Sequence, residues 1–356
     1  MTNSLLQSKF ESSPIGLPAD LENLILKMGD QLAGSFHAKS VAQAVLKASD
    51  FYIHNPLGTT PWNESWMQLA QVYYFMPLNT LRCLMVAAEA NRLGFFNGLK
   101  MSYDFGSGLG AGSLALQTLF KQINFVYKCY DTSEWPLRFT NLALSNDSKW
   151  KELQPVQPQN LKSLQDTLII CSYSVTELEK LPSWMTEAQA LMIIEPSTQQ
   201  DGRSLMQTRQ QLIDAGFSIW APCTHQGTCP LLTQSKTDWC HDRIHLQQPA
   251  WMQEVETHLP MKNRTITWSY LLAKKTSPPM ALNHGLRTVG DPLVQKGKTR
   301  QLICRGSDRE FLAWMDRHGK AQHIPRGVLM KTPTAAQKVS DELRMTVALD
   351  PLDLSK

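Results

Sequence analysis

At 356 residues with 42% hydrophobic and 19% charged side chains, the chain can bury one large core or two smaller ones and has the ordinary balance of a globular protein. No apolar run reaches the roughly 18–20 residues that span a bilayer, which excludes a helical membrane protein. The net charge of +4 is mild, and seven cysteines, an odd number, argue against a disulfide framework. Neither a secretory nor a transit signal is visible early in the chain, so a cytoplasmic location is expected.

In chain order, Leu21, Leu24, Ile25 and Met28 recur at helical spacing behind Pro18 and predict a first helix. A second is predicted over Ser40–Phe51. After a loop at Asn55–Pro61, a third begins near Trp66 and breaks around Pro77, and a fourth covers Leu81–Leu93. From Met101 short apolar runs alternate with amphipathic stretches, the pattern of βαβ units and a mainly parallel sheet. Strands are expected at Ser102–Phe105, Phe125–Tyr130, Thr167–Ser172, Ala190–Ile194, Phe217–Ala221 and Thr265–Ala273, with a short edge strand in Leu153–Leu161. Helices are expected at Ser113–Lys121, Pro136–Leu144, Glu177–Leu181 and Leu205–Ala215. Ala281–Lys298 reads as a loop or extension, and Arg300–Cys304 as a strand. Beyond Lys262 bases outnumber acids, which fits either a polyanionic partner such as RNA or a plain solvated surface. The expected organisation is a helical region over 1–100, an α/β domain over 101–277, and a basic extension over 278–356.

Asp104-Phe105-Gly106-Ser107-Gly108-Leu109-Gly110-Ala111-Gly112 closes the first strand and opens a helix. Side chains would block a ligand that approaches the backbone there, and the helix start offers free N–H groups. Nucleotide-binding Rossmann proteins share such a loop. Two acids tilt the reading to a class I methyltransferase-like, doubly wound sheet that binds S-adenosylmethionine. Asp104 precedes the first glycine, and Asp131 ends the second strand, placed to accept hydrogen bonds from ribose hydroxyls. The glycine loop carries no Gly-Lys-Ser/Thr, which excludes a triphosphate P-loop there. Cofactor contacts are thus expected at Asp104, Gly106, Gly108, Gly110 and Asp131.

Cys223, Cys229 and Cys240 lie close together after a strand, with Gly227 and Pro230 to curl the chain over 221–241. Converging thiolates suit zinc or an iron–sulfur cluster. A fourth ligand must come from elsewhere: Cys304 first, with His225 and His241 as runners-up that favour zinc. Cys83, Cys129 and Cys171 fall in apolar patterns and read as core.

Together these motifs resemble the ribosomal small-subunit methyltransferase-like family of mitochondria and bacteria. The resemblance runs from about Trp62 to Arg309. It rests on the glycine loop, on Ser172-Tyr173-Ser174-Val175-Thr176-Glu177-Leu178, on Glu195-Pro196, and above all on Ala221-Pro222-Cys223-Thr224-His225 with Trp239-Cys240-His241. The chain departs from the family at Ser197–Gln200, Thr224 and Asp242, which leaves the ligand positions in place. The resemblance implies a [4Fe–4S] cluster on Cys223, Cys229, Cys240 and Cys304, and work on the small ribosomal subunit or its precursor through rRNA contacts. It also offers the mitochondrial matrix as the alternative location. Two activities stay open: an assembly factor on a borrowed fold, and an active rRNA methyltransferase. The Asn/Asp-Pro-Pro-aromatic motif of base N-methyltransferases is missing, since Ser172-Tyr173-Ser174-Val175 stands in its place. Tyr173 reads as a packing residue rather than a stacking platform for a base.

Overall fold

A computed structural model describes residues 1–55, 58–120, 125–145, 149–178, 180–334 and 336–354. The N-terminal third is helical: α1 (Thr2–Phe10), α2 (Ala19–Leu32), α3 (Ala38–His54), α4 (Ser65–Ala70) and α5 (Met76–Arg92). Helix α2 buries Leu21, Leu24, Ile25 and Met28, the stripe its sequence shows. The break expected near Pro77 does not occur, because a π-turn over Gln71–Phe75 joins α4 to α5. A proline inside a helix has no N–H to donate and crowds the preceding turn, and the wider π-turn makes room for it. Helix α1 has no apolar stripe and no buried residue to announce it; an ion pair from Lys9 to Asp242 ties it down.

The α/β part follows as β1 (Met101–Phe105), α6 (Ala111–Leu119), β2 (Val126–Tyr130), α7 (Glu134–Ser145), β3 (Gln154–Pro155), β4 (Thr167–Ser172), β5 (Ala190–Glu195), α8 (Gln199–Asp214), β6 (Ser218–Ala221), α9 (Pro230–Thr233), β7 (Asp242–His245), α10 (Ala250–Thr257) and β8 (Thr265–Lys274). Lys121, where the helix from Ser113 was expected to end, lies outside the described residues, as do two residues of the Asn55–Pro61 loop. The sheet order is β3-β2-β1-β4-β5-β8-β6, with β7 on the free half of β8. Strands β1 to β5 pair in parallel, and β8 enters antiparallel between β5 and β6. This is the doubly wound arrangement of class I methyltransferases, with β7 as an eighth strand. β5 is buried from end to end, as a strand covered on both faces must be. Leu168 and Ile170 point into the core under the N-terminal helices, while Ile169 and Cys171 point into the one under α8. The described part of Glu177–Leu181 forms turns, not the expected helix. A segment this short, stopped by Pro182, cannot recover the cost of nucleating a helix.

The stretch read as an extension folds into a second sheet: β9 (Gly285–Thr288), β10 (Leu293–Gln295), β11 (Lys298–Cys304), β12 (Glu310–Met315), β13 (Leu329–Lys331), β14 (Gln337–Val339) and β15 (Glu342–Met345). The order is β13-β9-β11-β12-β15-β14, with β10 on β11. Leu286, Ile303, Leu312, Trp314, Met330 and Leu343 form its core. Leu302, Cys304 and Phe311 face the other way, into the core under α8 that also holds the cysteine loop.

Candidate cofactor crevice and cysteine site

The strand order reverses between β1 and β4, the point outside which a doubly wound sheet binds its ligand between the loops leaving those strands. In the first loop Gly106, Gly108 and Gly110 have φ of +64°, +48° and +76°, conformations that glycine adopts without strain. A Cβ on Gly106 would lie 2.6 Å from the Ser174 Cβ, and one on Gly108 would lie 3.5 Å from the Trp62 ring. Trp62 stacks on Trp135, ring centres 5.7 Å apart, and covers this side of the loop. Asp131 accepts the Gly108 N–H at 2.8 Å on Oδ2 and the Ser133 N–H at 3.0 Å on Oδ1. Each oxygen keeps a lone pair for a further donor. Burial pushes its carboxyl up, and burial with the nearby Asp131 pushes Glu177 up to about 7.

Asp104 lies under the loop rather than in it. Its Oδ2 accepts the Ser113 N–H at 3.0 Å and the Ser113 hydroxyl at 2.8 Å, which caps the start of α6, while Oδ1 is buried without a partner. The loop after β4 is internally engaged. Ser172 Oγ lies 3.3 Å from Cys83 Sγ, the Ser174 hydroxyl donates to the Phe105 carbonyl, and the Val175 N–H donates to Glu195. Tyr173, at φ +62°, packs on the core beneath Arg82. Cys83, Cys129 and Cys171 are fully buried core residues.

Cys223, Cys229, Cys240 and Cys304 are buried in one shared core cluster. The loop carrying the first three is pinned from all sides. Gln226 folds back to bond both the N–H and the carbonyl of Ile219, and Ser269 Oγ donates to the Cys240 carbonyl at 2.9 Å. Arg203 donates to the carbonyls of Leu231, Ser235 and Asp238. A Cβ on Gly227 would strike Ser307 Oγ at 2.4 Å, so the loop packs directly against the turn after β11 that follows Cys304. Burial raises the Cys304 thiol, and Cys223, Cys240 and Cys229 raise it further, so all four sulfurs are electrostatic neighbours. Among the described residues, no three His, Cys, Asp or Glu side chains close tightly enough to grip a single ion. Of the two histidines, His225 sets Nε2 3.4 Å from Cys304 Sγ, and burial with Arg209 lowers it to about 4. His241 instead stacks on Trp239 and sits beside Arg326.

Residues 82–326 match the family described as mitochondrial small ribosomal subunit Rsm22. The chain belongs to this family. Among curated relatives, the human mitochondrial ribosome assembly protein METTL17 is 25% identical over 158 residues, which cover 36% of this chain and 34% of that protein. The alignment therefore spans about a third of that relative's length. Among solved structures, magnesium protoporphyrin IX methyltransferase from Synechocystis with bound S-adenosyl-homocysteine aligns at 14% identity and a TM-score of 0.33, over 56% of this chain and 84% of that one. TrmK from M. capricolum, in complex with the same product, aligns at 9% identity and a TM-score of 0.30, over 53% of this chain and 68% of that one. Likenesses this low carry no argument about the site.

Three participants in this family member carry no signal in the sequence. Arg209 on α8 donates to Cys223 Sγ at 3.1 Å and to the His225 carbonyl, yet reads as one polar residue on an amphipathic helix. Trp62 and Trp135 meet over the glycine loop from distant parts of the chain. Asp104 has a measurable consequence. Burial pushes its carboxyl up to about 7, against the pull of the Ser113 bonds, from 3.8 when exposed. A group raised in the folded state stabilises fully below its unfolded value and loses that contribution as pH rises through the folded value. Stability is therefore expected to fall between about pH 4 and 7, and Asp104→Asn to flatten that slope. Urea titrations across this range check it; an unchanged slope in the variant places the titration elsewhere.

Proposed function

We propose that this chain is an rRNA-binding assembly factor of the small ribosomal subunit that retains a methyltransferase fold. The family match over 82–326 carries the reading, and the loop after β4 supports it. Methyl transfer needs an acceptor held in line and a group to manage its proton. The polar atoms of Ser172, Ser174 and Val175 are instead spent on internal partners. S-adenosylmethionine would sit against Gly106, Gly108 and Gly110, with Asp131 toward its ribose; the left-handed glycines and the spare lone pairs of Asp131 fit it.

Cys223, Cys229, Cys240 and Cys304 would hold a [4Fe–4S] cluster, with zinc as the alternative. The donor set fits in kind: four buried thiols share one core, and thiolates are the ligands such clusters take. When bound, the cluster would tie the cysteine loop to the second sheet. The partner would be the small subunit or its precursor, in the mitochondrial matrix or, in a bacterial cell, the cytoplasm. An active rRNA methyltransferase is the second reading, favoured by the intact glycine cradle.

Labelled S-adenosylmethionine offered to immature small subunits from cells lacking this protein separates the two. The assembly-factor reading expects the chain to co-sediment with the particle and leave the rRNA unlabelled. Label that disappears with Gly108→Arg makes it an enzyme.

A further inference from the structure

Five positions of the second sheet follow a recognisable path. β9, β11 and β12 pair antiparallel in succession, β12 pairs in parallel with β15, and β14 lies antiparallel on β15. β13 lies antiparallel on β9, so the chain from β13 to β14 acts as one interrupted fourth strand, set between the first and the fifth. This is the connectivity of an OB barrel, a fold that binds single strands across its second and third strands and adjoining loops.

In β11 and β12 those are the positions of Lys298, Arg300, Ala313 and Met315, which pair across the outer face, while Trp314 and Leu312 point inward. The face nearest the cysteine loop is covered, but its far end is open. There a cavity of about 320 Å³ opens, walled by Trp314, Met315 and Met345, with His318 and Lys320 at its rim. That volume is at the lower end for small-molecule sites and admits one nucleobase. Exposed Arg317 and Lys320 flank it, whereas Lys298, Arg300 and Arg344 on the outer face are already paired with Glu342 and Asp341. Trp314 belongs to the barrel core and is only 7% exposed, so it lends the cavity an apolar wall; such a wall beside exposed cations suits a base and its phosphates. Duplex RNA presents neither an unstacked base nor an edge that enters such a pocket.

We propose that this barrel end binds single-stranded RNA, one base in the cavity beside Trp314 and the adjoining phosphates on Arg317 and Lys320. The proposal deepens the assembly-factor reading by naming the surface that meets the rRNA. The test titrates the full chain with a fluorescent single-stranded 12-mer, the same strand with abasic sites, and a duplex of equal length. The double variant Arg317→Glu/Lys320→Glu is expected to weaken the single strand on the order of tenfold and lower its salt slope by about two. Ala348→Leu, which adds apolar bulk at an exposed position on the cavity rim, is expected to weaken the intact strand severalfold, leave the salt slope alone, and leave the abasic strand unaffected. Equal affinity for intact and abasic strands overturns the base pocket. Binding indifferent to the double variant, or as tight to duplex as to single strand, overturns the surface. Co-sedimentation with the particle is scored separately, so the assembly-factor reading can fail while the oligonucleotide titration still decides the barrel.

Discussion

Arg287→Ala is expected to destabilise the protein by about 3–5 kcal/mol, the range for breaking a buried ion pair from one side. Arg287 is 2% exposed at the start of the second sheet, and its guanidinium reaches three other parts of the fold. Nη2 donates to Glu89 on α5 at 2.7 Å, Nε to the Pro222 carbonyl at the head of the cysteine loop at 2.7 Å, and Nη1 to the Gly327 carbonyl at 2.7 Å. Asp242 lies 3.8 Å from Nη1, and a Cβ on Gly327 would collide with it, so the backbone fits closely around this cluster. Alanine strands two buried carbonyls and opens a void, although Glu89 keeps Arg92 and Asp242 keeps Lys9. Arg287→Lys retains the charge but not the planar fork, and is expected to recover less than half of the loss. Urea midpoints measure both. A loss under about 1 kcal/mol for alanine would show that the two sheets are held together without this residue.

Arg287 also shows why the sequence was only partly legible. In composition it counts toward a basic extension, yet in the fold it is one of the most buried side chains. Arg305 and Arg326 are likewise taken up by Glu310 and Asp291. Charge statistics see the bases but not their distant partners. The first sheet was readable because its signals are local: β4 and β5 are apolar runs closed by turns, and Asp104 to Gly112 is one contiguous motif. Of the second sheet β11 was readable, expected as Arg300–Cys304; other strands are as short as three residues or carry Glu310 and Glu342 at buried positions, so no alternation betrays them. Pro77 misled for the opposite reason, since the π-turn that accommodates it is a property of packing. In the cysteine site the motif exposed the sulfurs of one loop, whereas Cys304 depends on how β11 docks, and Arg209 depends on how α8 lies.

The docking of β11 gives the cysteine site a consequence larger than metal content. Protein purified without oxygen is expected to be brown and to carry about four irons per chain. If Cys223, Cys229 and Cys240 share a cluster with Cys304, ligand bonds link the loop after β6 to the second sheet across the core under α8. A closed site of this kind makes binding free energy part of folding free energy. Cys304→Ser and Cys229→Ser are therefore expected to lose iron together with more than about 4 kcal/mol of stability, a size that sets metal loss apart from ordinary substitutions. Cys83→Ala, in the N-terminal core and away from the loop, is expected to keep its iron and lose only packing. Iron analysis and melting curves on the same samples decide the matter. Colourless wild-type protein with stoichiometric zinc assigns the four thiols to zinc. A Cys304→Ser melting curve that coincides with wild type removes the link between the sheets, and Arg287 then stands as the main tie between them.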